Sequence, residues 1–197
     1  MFIYWGGYLL LMKPGLQIPT KIENIVASTK LSDSLDLNLI SEKLPEADYN
    51  RRRFPGVVIR MENPKLAALL FNSGKVVLTG AKSQEVLSTG LKNLVEKLKT
   101  VYTEIPENPE CNVQNMVISA DLGTHVNLNK IAMSLSLDKI EYEPEQFPGL
   151  VYRIDDPKTV VLLFGSGKLI ITGGKSEESA QRAVEIIYTN LEKLNLI

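Results

Sequence analysis

Histidine and cysteine are almost missing from this chain: His125 and Cys111 each stand alone among 197 residues. A single thiol closes no internal disulfide, so a reducing compartment is the default and a buried structural thiol is the plain role for Cys111. One histidine without a neighbouring cysteine gives zinc no ligand set, and His125, following Gly123-Thr124 in a polar turn, reads as a solvated loop residue. No acid–histidine pair, Cys/His dyad or metal-ligand group is available for catalysis, and no cofactor is expected. Gly165-Ser166-Gly167-Lys168 and the two Thr-Gly-x-Lys-Ser stretches lack the spacing of a nucleotide P-loop and read as strand hairpins. Charge of one sign is lacking too, the net being −1, and with 44% hydrophobic and 23% charged residues the chain reads as a soluble protein of one or two domains. Long apolar runs are missing. The opening MFIYWGGYLLLM is too short for a bilayer, has no basic n-region and precedes Lys13-Pro14, which is no signal-peptidase site. It is expected to be an N-terminal extension, packed on the surface or disordered, and Met12 is an alternative start.

What the chain does contain, it contains twice. Residues 54–83, FPGVVIRMENPKLAALLFNSGKVVLTGAKS, return as 147–176, FPGLVYRIDDPKTVVLLFGSGKLIITGGKS, with 17 of 30 positions identical. Upstream, Ile22–Ser28 aligns with Val113–Ser119 and Leu35–Asn38 with Val126–Asn129 at a spacing of 91, which becomes 93 by Phe54 and Phe147, so two residues enter the second copy between Ile131 and Tyr142. A loop tolerates them best. Duplication within one chain makes a two-fold pseudo-dimer, and its ligand is expected to share that approximate symmetry. The boundaries read as an extension over 1–20, a first repeat over 21–104 and a second over 105–197, with Glu104 to Glu110, carrying Pro106 and Pro109, as the joint.

Each repeat reads as strand, short helical stretch, strands and a long helix. Val57–Met61 and Leu66–Phe71 flank the turn signal Glu62-Asn63-Pro64, and Ser73-Gly74 turns into Lys75–Thr79. Ser83 caps a helical run to about Tyr102, with Gly90 as a weak point, and Ser176–Leu194 repeats the pattern. Ala67, Leu69 and Phe71 oppose Ala68 and Leu70, and Val160, Leu162 and Phe164 oppose Val161 and Leu163, so both strand faces are apolar. The helices suffice for one face. An uncovered apolar face spanning both repeats marks a binding surface, unless the sheet closes into a sandwich or is buried in an obligate dimer.

The motifs Phe-Pro-Gly-(Val/Leu)-Val-(Ile/Tyr)-Arg, Pro-Lys, Leu-Leu-Phe-x-Ser-Gly-Lys and Thr-Gly-x-Lys-Ser, each present in both repeats and joined to a (Glu/Gln)-Asn-(Ile/Met)-Val strand, resemble the TATA-box-binding protein family from about Ile22 to Leu191. The resemblance implies an α+β saddle: two pseudo-symmetric repeats forming one curved antiparallel sheet with helices on the convex face. It implies minor-groove binding to a promoter TATA box, DNA bending and nucleation of a preinitiation complex, without catalysis.

Residue by residue, the resemblance makes Phe54 and Phe71, and Phe147 and Phe164, the wedges between base steps, with Pro55 and Pro148 stiffening the turns that present them. Asn24 and Asn115, beside Val26 and Val117, lie at the pseudo-dyad, where amides suit the A N3 and T O2 acceptors. Thr79 and Thr172 supply further donors, and Val77, Ile170, Leu69 and Leu162 an apolar floor. Arg60, Arg153, Lys75, Lys168, Lys82 and Lys175 are the matched rim cations, and Ser73 and Ser166 fall in the matched hairpin motif. Acids gather elsewhere, on the last helix at Glu177, Glu178, Glu185 and Glu192 and in the joint. The second stirrup, with Glu143, Glu145 and Gln146, resembles the surface that meets transcription factor B, through which RNA polymerase joins. The first stirrup departs from the archaeal pattern with Arg51-Arg52-Arg53, which suits DNA, another partner, or exclusion of one.

The short N-terminal region and the likeness of the repeats lean toward an archaeal cell, hence a cytoplasmic, nucleoid-associated protein. Alternatives are a diverged paralogue acting mainly as a protein-binding transcription regulator, or a domain of this fold serving a DNA-repair enzyme. Self-association of free molecules through the apolar face stays open.

Overall fold

Alternation along the strands decides which face of the sheet is covered. In a strand, residues two apart share a face, and in β3 (Thr20–Lys30) Ile25, Ala27 and Thr29 are buried while Asn24, Val26 and Ser28 are half-exposed. The same split holds in β5 (Val57–Glu62), β6 (Lys65–Leu70) and β7 (Lys75–Ala81). It returns in β8 (Asn112–Asp121), β10 (Gly149–Ile154), β11 (Thr159–Phe164) and β12 (Lys168–Thr172). The structure, a computed structural model, describes residues 18–135 and 138–197 and, ahead of them, only the backbone of two paired strands, β1 (Tyr4–Trp5) and β2 (Tyr8–Leu9). The expectations for the extension and for Met12 lie outside the described residues.

Ten strands form one antiparallel sheet in the order β4-β5-β6-β7-β3-β8-β12-β11-β10-β9, where β4 is Ala47–Asp48 and β9 is Ile140–Glu141. The order is a palindrome about the β3–β8 pair, so the two repeats make a single curved sheet, the saddle expected from the resemblance. Both edges are two-residue strands, too short to template pairing with another chain.

Four helices cover the buried face: α1 (Leu37–Lys43), α2 (Gln84–Lys99), α3 (Leu128–Ser134) and α4 (Glu177–Lys193). Each starts on a side-chain cap that satisfies a free N–H. Asp36 accepts from Asn38 and Leu39, Ser83 from Val86, Asn127 from Lys130 and Ser176 from Ser179. The long helix of the first repeat ends at Lys99, not at about Tyr102. Tyr102 instead crosses to the start of α1, where its hydroxyl accepts from the Asp36 N–H and donates to the Asp36 carbonyl. Gly90, a weak point by helix propensity, has a packing reason: a Cβ there would stand 2.0 Å from Cδ2 of buried Leu66, so its absence lets α2 settle onto β6. Among the described residues nothing closes the other face into a sandwich.

The two-residue insertion falls between Ser134, ending α3, and Ile140, opening β9; residues 136 and 137 lie outside the described residues. Elsewhere the repeats agree in detail. In each, the loop after the central strand hydrogen-bonds the hairpin that carries the second phenylalanine: Leu31 and Leu35 donate to the Gly74 and Asn72 carbonyls, and Leu122 and Val126 to those of Gly167 and Gly165. Gly74 and Gly167 turn there at φ 75° and 87°.

At Gly167 a Cβ would stand 2.0 Å from the Thr124 carbonyl oxygen, whereas at Gly123, also at positive φ, it would meet nothing within 4 Å. Gly123→Ala is therefore expected to cost only the left-handed backbone penalty, about 1–2 kcal/mol, and Gly167→Ala distinctly more. Urea denaturation of the two variants checks this; equal losses would show that close approach is not what Gly167 provides.

Candidate nucleic-acid interface

Register across the sheet assembles the open face in rows. One row runs Arg60, Ala67, Thr79, Val26, Asn115, and the next Val58, Leu69, Val77, Ser28, Asn112. In the second repeat Val151, Leu162, Ile170 and Ser119 lie side by side, as do Arg153, Val160 and Thr172. The Arg60 row grades from a cation at the outside, through alanine, threonine and valine, to asparagine at the centre, and the Val58 and Val151 rows are apolar until they reach serine. Across the dyad Asn24 pairs with Val117 and Val26 with Asn115, so the central four residues form a symmetric square. The floor residues Leu69, Val77, Leu162 and Ile170 are half-exposed on this face, and Val58 and Val151 extend it. Those two valines share parity with Arg60 and Arg153 in Val57–Glu62 and Gly149–Ile154, a signal the sequence carried and the site assignment missed.

The central amides are held in one orientation. Gly80 is the extra residue where the β3–β7 register shifts, at φ 100°, and this bulge sends its N–H to Asn24 Oδ1 at 2.7 Å. With the oxygen so fixed, Asn24 Nδ2 faces Thr79 and donates to Oγ1 at 3.2 Å. The second repeat duplicates this: Gly173 N–H to Asn115 Oδ1 at 2.8 Å, and Asn115 Nδ2 to Thr172 Oγ1 at 3.1 Å. Each threonine hydroxyl lies within reach of both ends of its amide, accepting from Nδ2 and, at 3.4 Å for Thr79 and 3.3 Å for Thr172, placed to donate to Oδ1. Gly80 and Gly173 were not singled out in the sequence; their role appears only once the bulge is seen.

At each end of the face a phenylalanine pair is packed edge to face, Phe54 on Phe71 at 5.7 Å and 61°, and Phe147 on Phe164 at 5.8 Å and 65° between ring centroids and planes. All four rings are half-exposed, and Pro55 and Pro148 beside them are exposed. The glycine of each Phe-Pro-Gly seats the pair. A Cβ on Gly56 would approach Phe54 Cε1 to 2.8 Å, and one on Gly149 would approach Phe147 Cε1 to 2.7 Å and Phe164 Cε1 to 3.1 Å. Sequence reading used the proline of that motif and passed over the glycine.

The cations of the rim divide into two sets. Lys75, Lys168 and Lys175 are exposed, as are Ser73 and Ser166 in the hairpin turns. Arg60, Arg153 and Lys82 are exposed too, yet each meets a carboxylate: Asp48 at 3.6 Å, Glu141 at 2.9 Å and Glu23 at 3.7 Å. Glu23 precedes Asn24 and has no counterpart in the second repeat, where Gln114 takes its place. A hydrogen bond from the Ser119 hydroxyl, with Lys21 and then Lys82, holds its carboxyl below the usual carboxylate range. In the second stirrup Glu143, Glu145 and Gln146 are all exposed, and Gln146 donates to Glu143. His125 is exposed, with Nδ1 3.3 Å from the Gly165 carbonyl oxygen, as expected of a loop residue. Cys111 is half-buried, and burial raises its thiol pKa.

The family model for "Transcription factor TFIID (or TATA-binding protein, TBP)" matches residues 19–101 and again 110–194, one match per repeat. The chain is 54% identical over 177 residues to the TATA-box-binding protein of Archaeoglobus fulgidus, covering 90% of this chain and 97% of that one. It is 55% identical over 177 residues to that of Methanothrix thermoacetophila, covering 89% and 97%. Among solved structures, Methanococcus jannaschii TBP superposes with a TM-score of 0.81 at 48% identity, covering 89% of this chain and 98% of that one. A two-repeat saddle with an open, pseudo-symmetric face is the class that fold and site define. The chain belongs to the TATA-box-binding protein family.

Proposed function

We propose that this protein binds the minor groove of an A·T-rich promoter element of the TATA type, bends it, and nucleates a transcription preinitiation complex. The observation that carries this reading is the central square of Asn24, Val117, Val26 and Asn115, with both amides locked so that Nδ2 and a threonine hydroxyl are presented together. In the minor groove A·T pairs offer only the A N3 and T O2 acceptors, while G·C adds an amine. Amide and hydroxyl donors meet the former; the valines have no acceptor for the latter. The wedge role of Phe54, Phe71, Phe147 and Phe164 is the family's, and it is supported by their position in half-exposed pairs at the two ends of the apolar face. Lys75, Lys168 and Lys175, which meet no carboxylate among the described residues, together with Arg60, Arg153 and Lys82, would neutralise phosphates. Phosphate contacts position the duplex and base edges specify it.

Lys168→Ala should weaken binding to every duplex and flatten the dependence of log K on log salt by about 0.9, one counterion's worth. Asn115→Ala should keep the salt slope and lose preference for a TATA duplex over a G·C-rich one. Titrating both duplexes at several salt concentrations separates the two. Loss of slope in Asn115→Ala would put the DNA on a different face.

Phe147→Ala with Phe164→Ala should remove the kink at that end, because unstacking a base step costs about a few kcal/mol and no ring replaces the lost stacking. Energy transfer between dyes on the DNA ends reports the bend; an unchanged bend defeats the wedge assignment.

The exposed acidic stirrup supports a protein contact, for which transcription factor B is the candidate, with RNA polymerase joining through that complex. Glu145→Arg should weaken ternary-complex formation and leave binary DNA binding intact, since a rim charge reversal opposes the partner without touching the groove. A gel shift with and without transcription factor B decides; wild-type ternary affinity reassigns this surface, and tight partner binding with sequence-indifferent DNA binding would instead identify a regulator of the paralogue kind.

A further inference from the structure

The two stirrups share one backbone turn and carry opposite charge. In the first, the N–H groups of Arg53 and Phe54 both donate to the Asn50 carbonyl, each at 2.9 Å; in the second, those of Gln146 and Phe147 donate to the Glu143 carbonyl at 2.9 and 3.0 Å. On this common frame Asn50-Arg51-Arg52-Arg53-Phe54 stands where the other repeat has Glu143-Pro144-Glu145-Gln146-Phe147. Asn50 Oδ1 also accepts from the Arg52 N–H at 3.2 Å, so the first turn is tied down before any ligand arrives.

All three arginines are exposed. Among the described residues none of them holds a carboxylate, whereas every other arginine of the chain does: Arg60 with Asp48, Arg153 with Glu141, Arg182 with Asp156. Three adjacent guanidinium groups without counter-charge repel one another, and an external anion would relieve what solvent and salt leave unscreened. The planar guanidinium fork suits phosphate, which it can grip through two parallel hydrogen bonds.

We propose that Arg51, Arg52 and Arg53 form a phosphate-binding site for the duplex that flanks the bound element at the first-repeat end. The inference rests on the minor-groove reading above. If Phe54 enters the last base step, the residues immediately before it stand where the duplex leaves the sheet, and each strand there presents one phosphate per roughly 3.4 Å. The acidic second stirrup repels the same backbone. The chain therefore grips flanking DNA at one end only, and a nearly symmetric element acquires a preferred protein orientation from the charge of its own two stirrups.

Two duplexes test this: a self-complementary A·T core alone, and the same core extended on one side by about ten base pairs, roughly one helical turn. Binding is titrated between 50 and 200 mM salt. The extension should steepen the salt slope by up to about 2.7 for three phosphates, equivalent to about 40-fold in affinity across that range. Replacing all three arginines by Gln should abolish this gain, and replacing all three by Lys should keep most of it, since a point charge still neutralises phosphate. A dye at Met133→Cys, an 89% exposed second-repeat position, in a Cys111→Ser background should show the second repeat far from the extended end. In the glutamine variant that preference should disappear.

Core binding with no gain from the extension overturns this inference alone. No core binding at all overturns the minor-groove reading and this inference together. If the extension has no effect, but sedimentation shows that the wild-type chain self-associates and the glutamine variant does not, the arginines serve the acidic stirrup of a second copy.

Discussion

The pairing of β3 with β8 is the contact on which everything else depends. Each repeat alone would have a five-stranded sheet with its longest strand at an open edge; joining those two edges removes both and places the pseudo-dyad in the middle of one continuous surface. Exposed edges are a liability, and fusing two of them satisfies their backbone groups internally. The same pairing sets the chemistry of the centre. Because Asn24 stands opposite Val117 and Val26 opposite Asn115, two identical half-sites become one square of alternating donor and methyl groups. A slip of one residue would turn the asparagines into the core and Ile25 and Met116 outward.

Burial on one side finances exposure on the other. Ile25, Ala27, Val57, Ile59, Ala68, Leu70, Val76 and Leu78 in the first repeat are fully enclosed beneath the helices, and Leu150, Val161, Leu169 and Ile171 are nearly or fully so in the second. The burial of each valine, leucine or isoleucine among them contributes about 1.5–3 kcal/mol, so the covered face can carry a partner face of half-exposed valine, leucine and phenylalanine. The open face then needs no part in holding the fold together. It can be flat, apolar and two-fold symmetric, because its shape is set by strands anchored from behind.

What was legible in the sequence was whatever is local or repeated. Duplication gave the pseudo-dyad, alternation in Leu66–Phe71 gave the two faces, and Ser83 and Ser176 marked the starts of the long helices, all of which the structure shows. The features that escaped depend on partners distant in the chain. Gly90 reads as a defect until Leu66 is found packed against it, and Gly56 and Gly149 give no sign of a role until the phenylalanine rings are seen against them. Gly80 and Gly173 give no sign that their N–H groups will orient an asparagine more than 50 residues away, at separations of 56 and 58. The ion pairs of Arg60 and Arg153 were also hidden, since their carboxylates come from the edge strands, which two residues of sequence scarcely announce.

Those ion pairs bear on how the rim works. Exposed pairs of this kind contribute about 0–1 kcal/mol, so a phosphate arriving beside Arg60 or Arg153 displaces little. On the minor-groove reading, Asp48 and Glu141 would hold Arg60 and Arg153 only until a phosphate replaced them. Glu23 is different. Bound by the Ser119 hydroxyl and flanked by Lys21 and Lys82, it sets a carboxylate beside the central square in the first repeat only, where Gln114 is neutral in the second. Symmetry is thus kept where base edges would be read, in the Asn–Thr–Gly units, and broken where charge is carried, at Glu23 and at the two stirrups. On the proposed reading, a symmetric reader with asymmetric charge would recognise a nearly palindromic element through one set of contacts and choose its direction through another. The two properties can vary independently because they reside on different atoms of the same face.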